Sequence, residues 1–221
     1  MRIGIYVLLV LALIGCKNNT GKQVYIPVPY DFPLVLDTVW NMEQIPIRKR
    51  DSIMRVEGDQ SENFKYYHKL VKKNHAINEI KVKNILDHYG WPSHEDVGDR
   101  GNWTISNVLQ HSSLEVREHY IPLMKQAVLD GQLEARFLVR AEDRIATDKG
   151  ELQLYGGQMK YYPETKSFNL WPVYDPENID KRRAEIGLDP IAVFLKDRFD
   201  FEWDLEEQIA RSKAFEEAKT K

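Results

Sequence analysis

The spacing of apolar residues changes once along the chain, and this change sets the fold class. From Asp31 to about Arg144, apolar residues recur three and four positions apart, as on one face of an α-helix. From Glu151 they alternate with polar residues, as in a strand with one buried face. We therefore predict an α+β domain that is mostly α-helical, with a helical array followed by a C-terminal β-hairpin and short helices.

Turn-forming and capping residues divide the helical part. Asp31 can cap the first helix, and Pro46 should kink or end it before a second stretch that stops at Gly58. A Ser-x-x-Glu capping box at Ser112–Glu115 should begin a further helix. The stretch GWPSHEDVGDRG, residues 90–101, is predicted to be a loop. The remaining helices are predicted over residues 61–77, 78–89, 102–111 and 133–141.

Residues 151–162, ELQLYGGQMKYY, are predicted to be the first strand of the hairpin, with the leucines on the buried face. If Gly156-Gly157 forms a bulge, Gln158 joins Gln153 and Tyr155 on the opposite face. Residues 168–174 can return as the second strand. Two carboxamides and a phenol would then lie on one side of the hairpin.

The chain begins with a segment typical of a secretory signal. Arg2 precedes an apolar run from Ile3 to Ile14, which is shorter than the about 20 apolar residues that a membrane-spanning helix needs. We predict a lipoprotein signal peptide over residues 1–15, an extended tether over 16–30, one globular domain over 31–199 and an amphipathic helical tail over 200–221.

The only cysteine, Cys16, lies at the end of this signal. The residues Leu13-Ile14-Gly15-Cys16 resemble a bacterial lipobox, which implies that Cys16 becomes the mature N-terminus and carries fatty chains that enter a lipid membrane. Lys17 follows the cysteine where an Asp would signal retention, and by resemblance to lipoprotein sorting this favours the outer membrane of a bacterial cell envelope. The alternative is an ordinary signal peptide with a coincidental cysteine.

The composition of the chain limits which partners it is expected to bind and how its fold can be stabilised. The chain has 31 basic and 34 acidic residues, and loss of Arg2 with the signal would make the net charge of −3 more negative. With no basic surplus to neutralise phosphates, nucleic acid is not an expected partner. A single cysteine allows no disulfide framework, so the fold must be held by its core.

Short motifs between residues 90 and 158 resemble those of one bacterial family. They are Gly-Trp-Pro at 90–92, Gln-His at 110–111, Asp-Arg at 143–144 and Gln-x-Tyr-Gly-x-Gln at 153–158. Their order and spacing, over about residues 34–195, resemble the DUF6624 family, whose function is unknown and whose members are often lipoproteins. The chain departs from the family at Glu43-Gln44, where the family tends to have Asp-Gln followed closely by Arg. The resemblance supplies candidate residues and no activity.

Polar residues collect where the predicted helices and strands end, and we predict a cleft there. His111 has an ordinary side-chain pKa near neutrality, so it is the candidate general base. Asp143 could orient His111, or it could be paired by Arg144. The candidate ligand-binding residues are Gln110, Arg144, Gln153, Tyr155 and Gln158.

These residues leave three functions open. The first is a binding or interaction module whose cleft holds a small polar ligand or an envelope protein, since the cluster has no activated nucleophile. The second is a hydrolase-like enzyme that uses His111 with Asp143. The third is a buried network whose groups satisfy each other, with the tail helix docking a partner. We predict no cofactor and no metal site, because the histidines do not have a ligand spacing.

Overall fold

The computed structural model describes residues 30–162, 164–165 and 167–219. Within them the chain forms eight α-helices and one two-stranded antiparallel hairpin, which confirms the predicted mostly helical α+β class. Residues from Asp31 onward form one compact unit. The predicted signal peptide, Cys16 and the predicted tether up to residue 29 lie outside the described residues.

The first five helices occupy the N-terminal part of this unit. They are α1 (Phe32–Glu57), α2 (Glu62–Tyr89), α3 (His94–His111), α4 (Leu114–Leu129) and α5 (Ala135–Asp148). The hairpin then pairs β1 (Met159–Tyr162) with β2 (Ser167–Leu170), and Met159 lies opposite Leu170. The elements that follow are a 3-10 turn (Pro176–Asn178), α6 (Ile179–Glu185), α7 (Ile191–Phe199) and α8 (Leu205–Lys219).

Two apolar clusters hold the unit together. The larger one joins α1 to α5 through buried residues at helical spacing, among them Val39, Ile85 and Leu109. The smaller one lies under the hairpin and is built from Leu170, Val173, Ile179, Ile191 and Leu195. Helix α8 covers this second cluster by polar contacts, because Ser212 Oγ donates to the carbonyl of Val173 at 2.7 Å.

Two helices are longer than predicted. Helix α1 continues through Pro46, whose ring is buried, although a proline removes one hydrogen bond from the helix. Helix α2 continues through Asn78, where the sequence predicted a boundary. The buried Asn78 carboxamide donates to Glu43 Oε1 at 3.0 Å, so tertiary contact with α1 makes use of a residue that is weakly favoured inside helices.

The loop and the capping box after α2 also differ from the prediction. Much of the segment 90–101 belongs to α3, which is kinked at Gly98, where φ is 61°. Ser113, rather than Ser112, is the N-cap of α4, because its hydroxyl accepts from the amide of Val116 at 3.3 Å. Ser112 instead donates to the carbonyl of Val108 and closes α3.

The hairpin begins eight residues later than predicted, at Met159. Gln153 forms only an isolated parallel bridge with Val173, and the predicted faces are reversed there: Gln153 is 0% exposed, whereas Leu154 is 38% exposed. The prediction that the leucines of this segment are buried is therefore wrong for Leu154. The segment turns at Gly156 instead of continuing as a strand.

The turn at Gly156 generates a stability prediction. Gly156 has φ 79°, and a Cβ there would lie 2.5 Å from Cδ1 of the buried Ile191. Gly131 has φ 70° with nothing near its Cβ position, so it is a matched control for backbone strain. We expect Gly156→Ala to lower the free energy of unfolding by about 1–3 kcal/mol more than Gly131→Ala, measured by chemical denaturation. Equal losses would mean that Ile191 moves aside without cost.

Candidate functional site

The predicted site residues separate into two groups. Gln110 and His111 end α3, and the charge of His111 interacts with that of Arg144 of α5. Asp143, Gln153, Tyr155 and Gln158 instead form a hydrogen-bonded joint between α5 and the segment before β1. We call the segment 153–158 the joint loop.

Asp143 fastens the joint loop to α5. Its side chain is 0% exposed, Oδ1 accepts from the amides of Leu154 at 2.8 Å and Tyr155 at 3.0 Å, and Oδ2 accepts from Gly157 at 2.7 Å. Burial raises the pKa of Asp143 to about 6, and the three amide donors oppose that rise. Both oxygens are thus bonded to backbone amides rather than to His111. The predicted orientation of His111 by Asp143 gains no support from these bonds.

The two glutamines of the joint loop bond to backbone groups. Gln153 donates to the carbonyls of Gln158 at 3.0 Å and Trp171 at 2.6 Å, and its Oε1 accepts from the Gln158 amide at 2.8 Å. Gln158 donates from Nε2 to the carbonyl of Arg140 at 3.2 Å. The Gln153 carboxamide is therefore saturated inside the protein. Its predicted contact with a ligand stays a prediction.

Tyr155 is half-buried beside Asp143. Burial raises the pKa of the Tyr155 phenol, and the nearby Glu142 and Asp143 carboxylates add to the rise. The backbone carbonyl of Tyr155 accepts from Nη1 of the buried Arg183 at 2.5 Å. The joint loop is thus held from α5 on one side and from α6 on the other.

His111 belongs to a cluster that the sequence did not reveal. Its ring meets the ring of His75 edge to face, with centroids 6.1 Å apart. His75 Nδ1 lies 3.3 Å from Oε1 of Glu43, which is 4% exposed. Three helices therefore bring one carboxylate and two imidazoles together. The available signal was the resemblance of Glu43-Gln44 to an Asp-Gln motif, but nothing in the sequence paired Glu43 with a residue 32 positions later.

The three groups of this cluster have different electrostatic environments. Burial raises the pKa of Glu43, but the hydrogen bonds from His75 and Asn78 outweigh it and hold that pKa below its usual range. The bond to Glu43 raises the pKa of His75. His111 has an exposed edge, yet surrounding protein lowers its pKa by excluding water, and repulsion from His75, Arg140 and Arg144 adds to this. His75 therefore favours the cation and His111 the neutral imidazole.

A small cavity lies next to Gln110. Its volume of about 10 Å³ is about the room that one water molecule needs. Ser106 Oγ and Gln110 Oε1 face no hydrogen-bond partner among the residues that the structure describes, although both side chains are buried. The residues that line the cavity are Trp103, Ser106, Asn107, Gln110, Phe137 and Arg140.

In the described part of the chain, no group of three His, Cys, Asp or Glu side chains is arranged to hold a metal ion. No helix among those residues is both long enough and apolar enough to cross a membrane.

Comparison with known proteins identifies a family. The sequence profile of a family of unknown function, DUF6624, matches residues 59–202, more than half of the chain. This confirms the family predicted from the motifs, although the match begins after α1. No curated protein and no solved structure is similar enough to match.

The Glu43–His75 pair generates a pH prediction. Because the folded pKa of His75 is raised, the stability it contributes is full below its unfolded pKa of about 6.5 and is lost as pH rises through the folded pKa. We expect Glu43→Gln to lower the free energy of unfolding by roughly 1 kcal/mol more at pH 6 than at pH 8.5. Urea denaturation at the two pH values measures this difference.

Glu62→Gln is the control for this experiment. It removes an exposed carboxylate that bonds to Lys65, and no histidine takes part in that contact. We expect only a small effect of Glu62→Gln, equal at both pH values. A loss for Glu43→Gln that does not change with pH would show that Glu43 does not raise the pKa of His75 in the folded protein.

Proposed function

The chain belongs to the DUF6624 family of unknown function, so we propose its role from its own site: it is a binding module, attached by lipid to a bacterial cell envelope. The proposed cleft lies where α3 ends against α5: Gln110 and Arg140 line its cavity, and His111, whose charge interacts with those of Arg140 and Arg144, lies beside it. It takes a small polar ligand that inserts one group beside Ser106.

The main support is the unmet hydrogen-bonding capacity of two buried groups. Gln110 is 4% exposed and Ser106 is 6% exposed, yet one polar atom of each has no partner within the described residues. Buried polar atoms are normally bonded, since each one left unpaired costs about 1–3 kcal/mol. A ligand hydroxyl or amine in the adjoining cavity would satisfy both atoms.

His111 supports the same site from its outer side. Because its lowered pKa favours the neutral imidazole near pH 7, the ring can both donate and accept a hydrogen bond. Its exposed edge lets a ligand reach it without a change in the helices. The larger part of the ligand would therefore lie over His111, outside the cavity.

The alternative function, a hydrolase-like enzyme with His111 as general base and Asp143 as its orienting partner, has weaker support. Asp143 uses both carboxylate oxygens on the joint loop. The groups that reach His111 are His75 and, through it, Glu43. An enzyme of this kind would need a different orienting residue from the one that the sequence suggested.

Lipid attachment rests on the residues around Cys16. The motif Leu13-Ile14-Gly15-Cys16 follows an apolar run, and Lys17 favours sorting to the outer membrane. Acyl chains gain about 0.8 kcal/mol for each buried CH₂ group, so several chains on one cysteine give a firm anchor.

Replacement of the cysteine tests this attachment. We expect Cys16→Ser to move the protein from the membrane pellet to the soluble fraction after salt and carbonate washing, since the hydroxyl cannot carry the lipid. Metabolic labelling with a fatty acid should mark the wild-type chain alone. A Cys16→Ser protein that stays in the washed pellet would contradict the lipid anchor.

A thermal-shift screen tests the cleft. A ligand at 100 times its Kd adds about 2.7 kcal/mol, and each kcal/mol moves Tm by roughly 2 to 4 °C in a protein of this size. We expect a hit among small hydroxy, amino and acid compounds, and we expect Ser106→Ala and Gln110→Leu to abolish its shift.

The controls separate binding from stability. Without ligand, Ser106→Ala should melt at or above the wild-type Tm, because it removes a buried unpaired hydroxyl. Gln126→Leu changes an exposed glutamine on α4, so it should keep the ligand shift. If no compound shifts Tm and Ser106→Ala lowers it, these residues form an internal network and the proposed cleft is wrong.

A further inference from the structure

Two further arginines lie close enough to Arg140 for their charges to repel it. Arg140 lines the cavity, Arg144 lies one turn later on α5, and Arg198 belongs to α7. Burial lowers the pKa of Arg140, and repulsion from Arg198 and Arg144 lowers it further. An arginine stays charged at any ordinary pH, so the lowered pKa means that the folded protein holds this cation at an energetic cost.

Within the described residues, the carboxylates do not offset this positive charge. None of their ion pairs involves Arg140 or Arg198. Arg144 Nε lies 3.4 Å from Asp148 Oδ1, but Asp148 is also the partner of the buried Arg117. One carboxylate is thus shared between two guanidinium groups, and Arg140 has no carboxylate at ion-pair distance among the described residues: the nearby Asp143 uses both its oxygens on backbone amides.

We propose that the ligand of the cleft carries an anionic group, a carboxylate or a phosphate, and that Arg140 binds this group with help from Arg144. The inference rests on the proposed function and names its ligand class. A planar guanidinium can donate two parallel hydrogen bonds to either anion, which makes arginine suited to both. The Ser106 hydroxyl lines the same cavity as Arg140 and can donate a further bond.

The unpaired acceptor in the cavity adds a second requirement. Gln110 Oε1 is buried and can only accept, so the ligand must present an O–H or N–H beside its anion. A hydroxy acid, an amino acid or a phosphorylated alcohol has both groups within one or two bonds. A simple anion such as acetate lacks the donor.

The anion would also change the titration of His111. The charged and titratable groups that face this ring are Glu43 from α1, His75 from α2, and Arg140 and Arg144 from α5. A bound anion screens the two arginines, so the pKa of His111 rises when the ligand binds. By linkage, affinity increases as pH falls through the pKa of His111.

The test uses the purified full-length protein and three probes at matched ionic strength: glycolate, inorganic phosphate and ethylene glycol. Glycolate carries a carboxylate beside a hydroxyl, phosphate is the alternative anion, and ethylene glycol is neutral. Calorimetry gives the affinity, and NMR of the imidazole ring gives the pKa of His111. We expect at least one anion to bind and to raise the pKa of His111, and ethylene glycol to bind at least tenfold more weakly.

Matched variants of one helix test the role of Arg140. Arg140→Gln should weaken anion binding at least tenfold, and Arg140→Lys should restore part of it, because charge is kept without the planar pair of donors. Arg136→Gln removes an exposed arginine one turn earlier, which bonds to Glu134, and should leave the affinity unchanged. If Arg140→Gln does not fold, Arg140→Lys and Arg144→Gln carry the comparison.

The outcomes separate this inference from the proposed function. Stronger binding of glycolate identifies a carboxylate ligand, and stronger binding of phosphate identifies a phosphate ligand. If ethylene glycol binds and Gln110→Leu abolishes it while neither anion binds, the cleft is real and the anion proposal is wrong. If no probe binds, both proposals fail. Anion binding that leaves the pKa of His111 unchanged places the anion elsewhere and also overturns the inference.

Discussion

The carboxylate of Asp143 accepts three backbone hydrogen bonds, and the C-terminal half of the fold depends on them. A buried carboxylate is expensive unless its oxygens are bonded, and here the amides of Leu154, Tyr155 and Gly157 supply the bonds. The contact is close, because a Cβ on Gly157 would lie 3.1 Å from Asp143 Oδ2. A side chain at that position would push the loop away from α5.

Two of the sequence motifs contact each other and together form this joint. The Asp-Arg pair contributes the acceptor Asp143, and the Gln-x-Tyr-Gly-x-Gln stretch contributes the donors and a carboxamide that closes the loop on itself. The side chains of Gln153 and Gln158, which the sequence predicted to contact a ligand, thus bond to backbone groups and hold two segments of the chain together. The same joint contacts the residue that lines the cavity, since Gln158 donates to the carbonyl of Arg140.

The sequence predicted the features that are determined by residues close together along the chain. Ser61 caps α2 through the amide of Phe64, and α2 ends before Gly90, as apolar spacing and turn residues indicated. It could not predict outcomes that depend on distant residues. Asn78 stays helical because Glu43 accepts its hydrogen bond, and Gln153 is buried because Trp171 and Gln158 offer carbonyls. The alternation of apolar and polar residues predicted the wrong face of the segment for Gln153, because this pattern reflects apolar side chains and carries no information about such hydrogen-bond partners.

The site shows the same division between local and distant information. His111 was visible because a titratable ring at the end of a helix is a local feature, whereas its neighbours come from α1, α2 and α5. Two neighbouring side chains of α5 also have different surroundings. Asp143 is buried and fully bonded, whereas Arg140, three residues earlier, lines the cavity and has no ion pair with a carboxylate among the described residues. The anion proposed for the cleft would supply the negative group that the described part of the chain does not pair with Arg140.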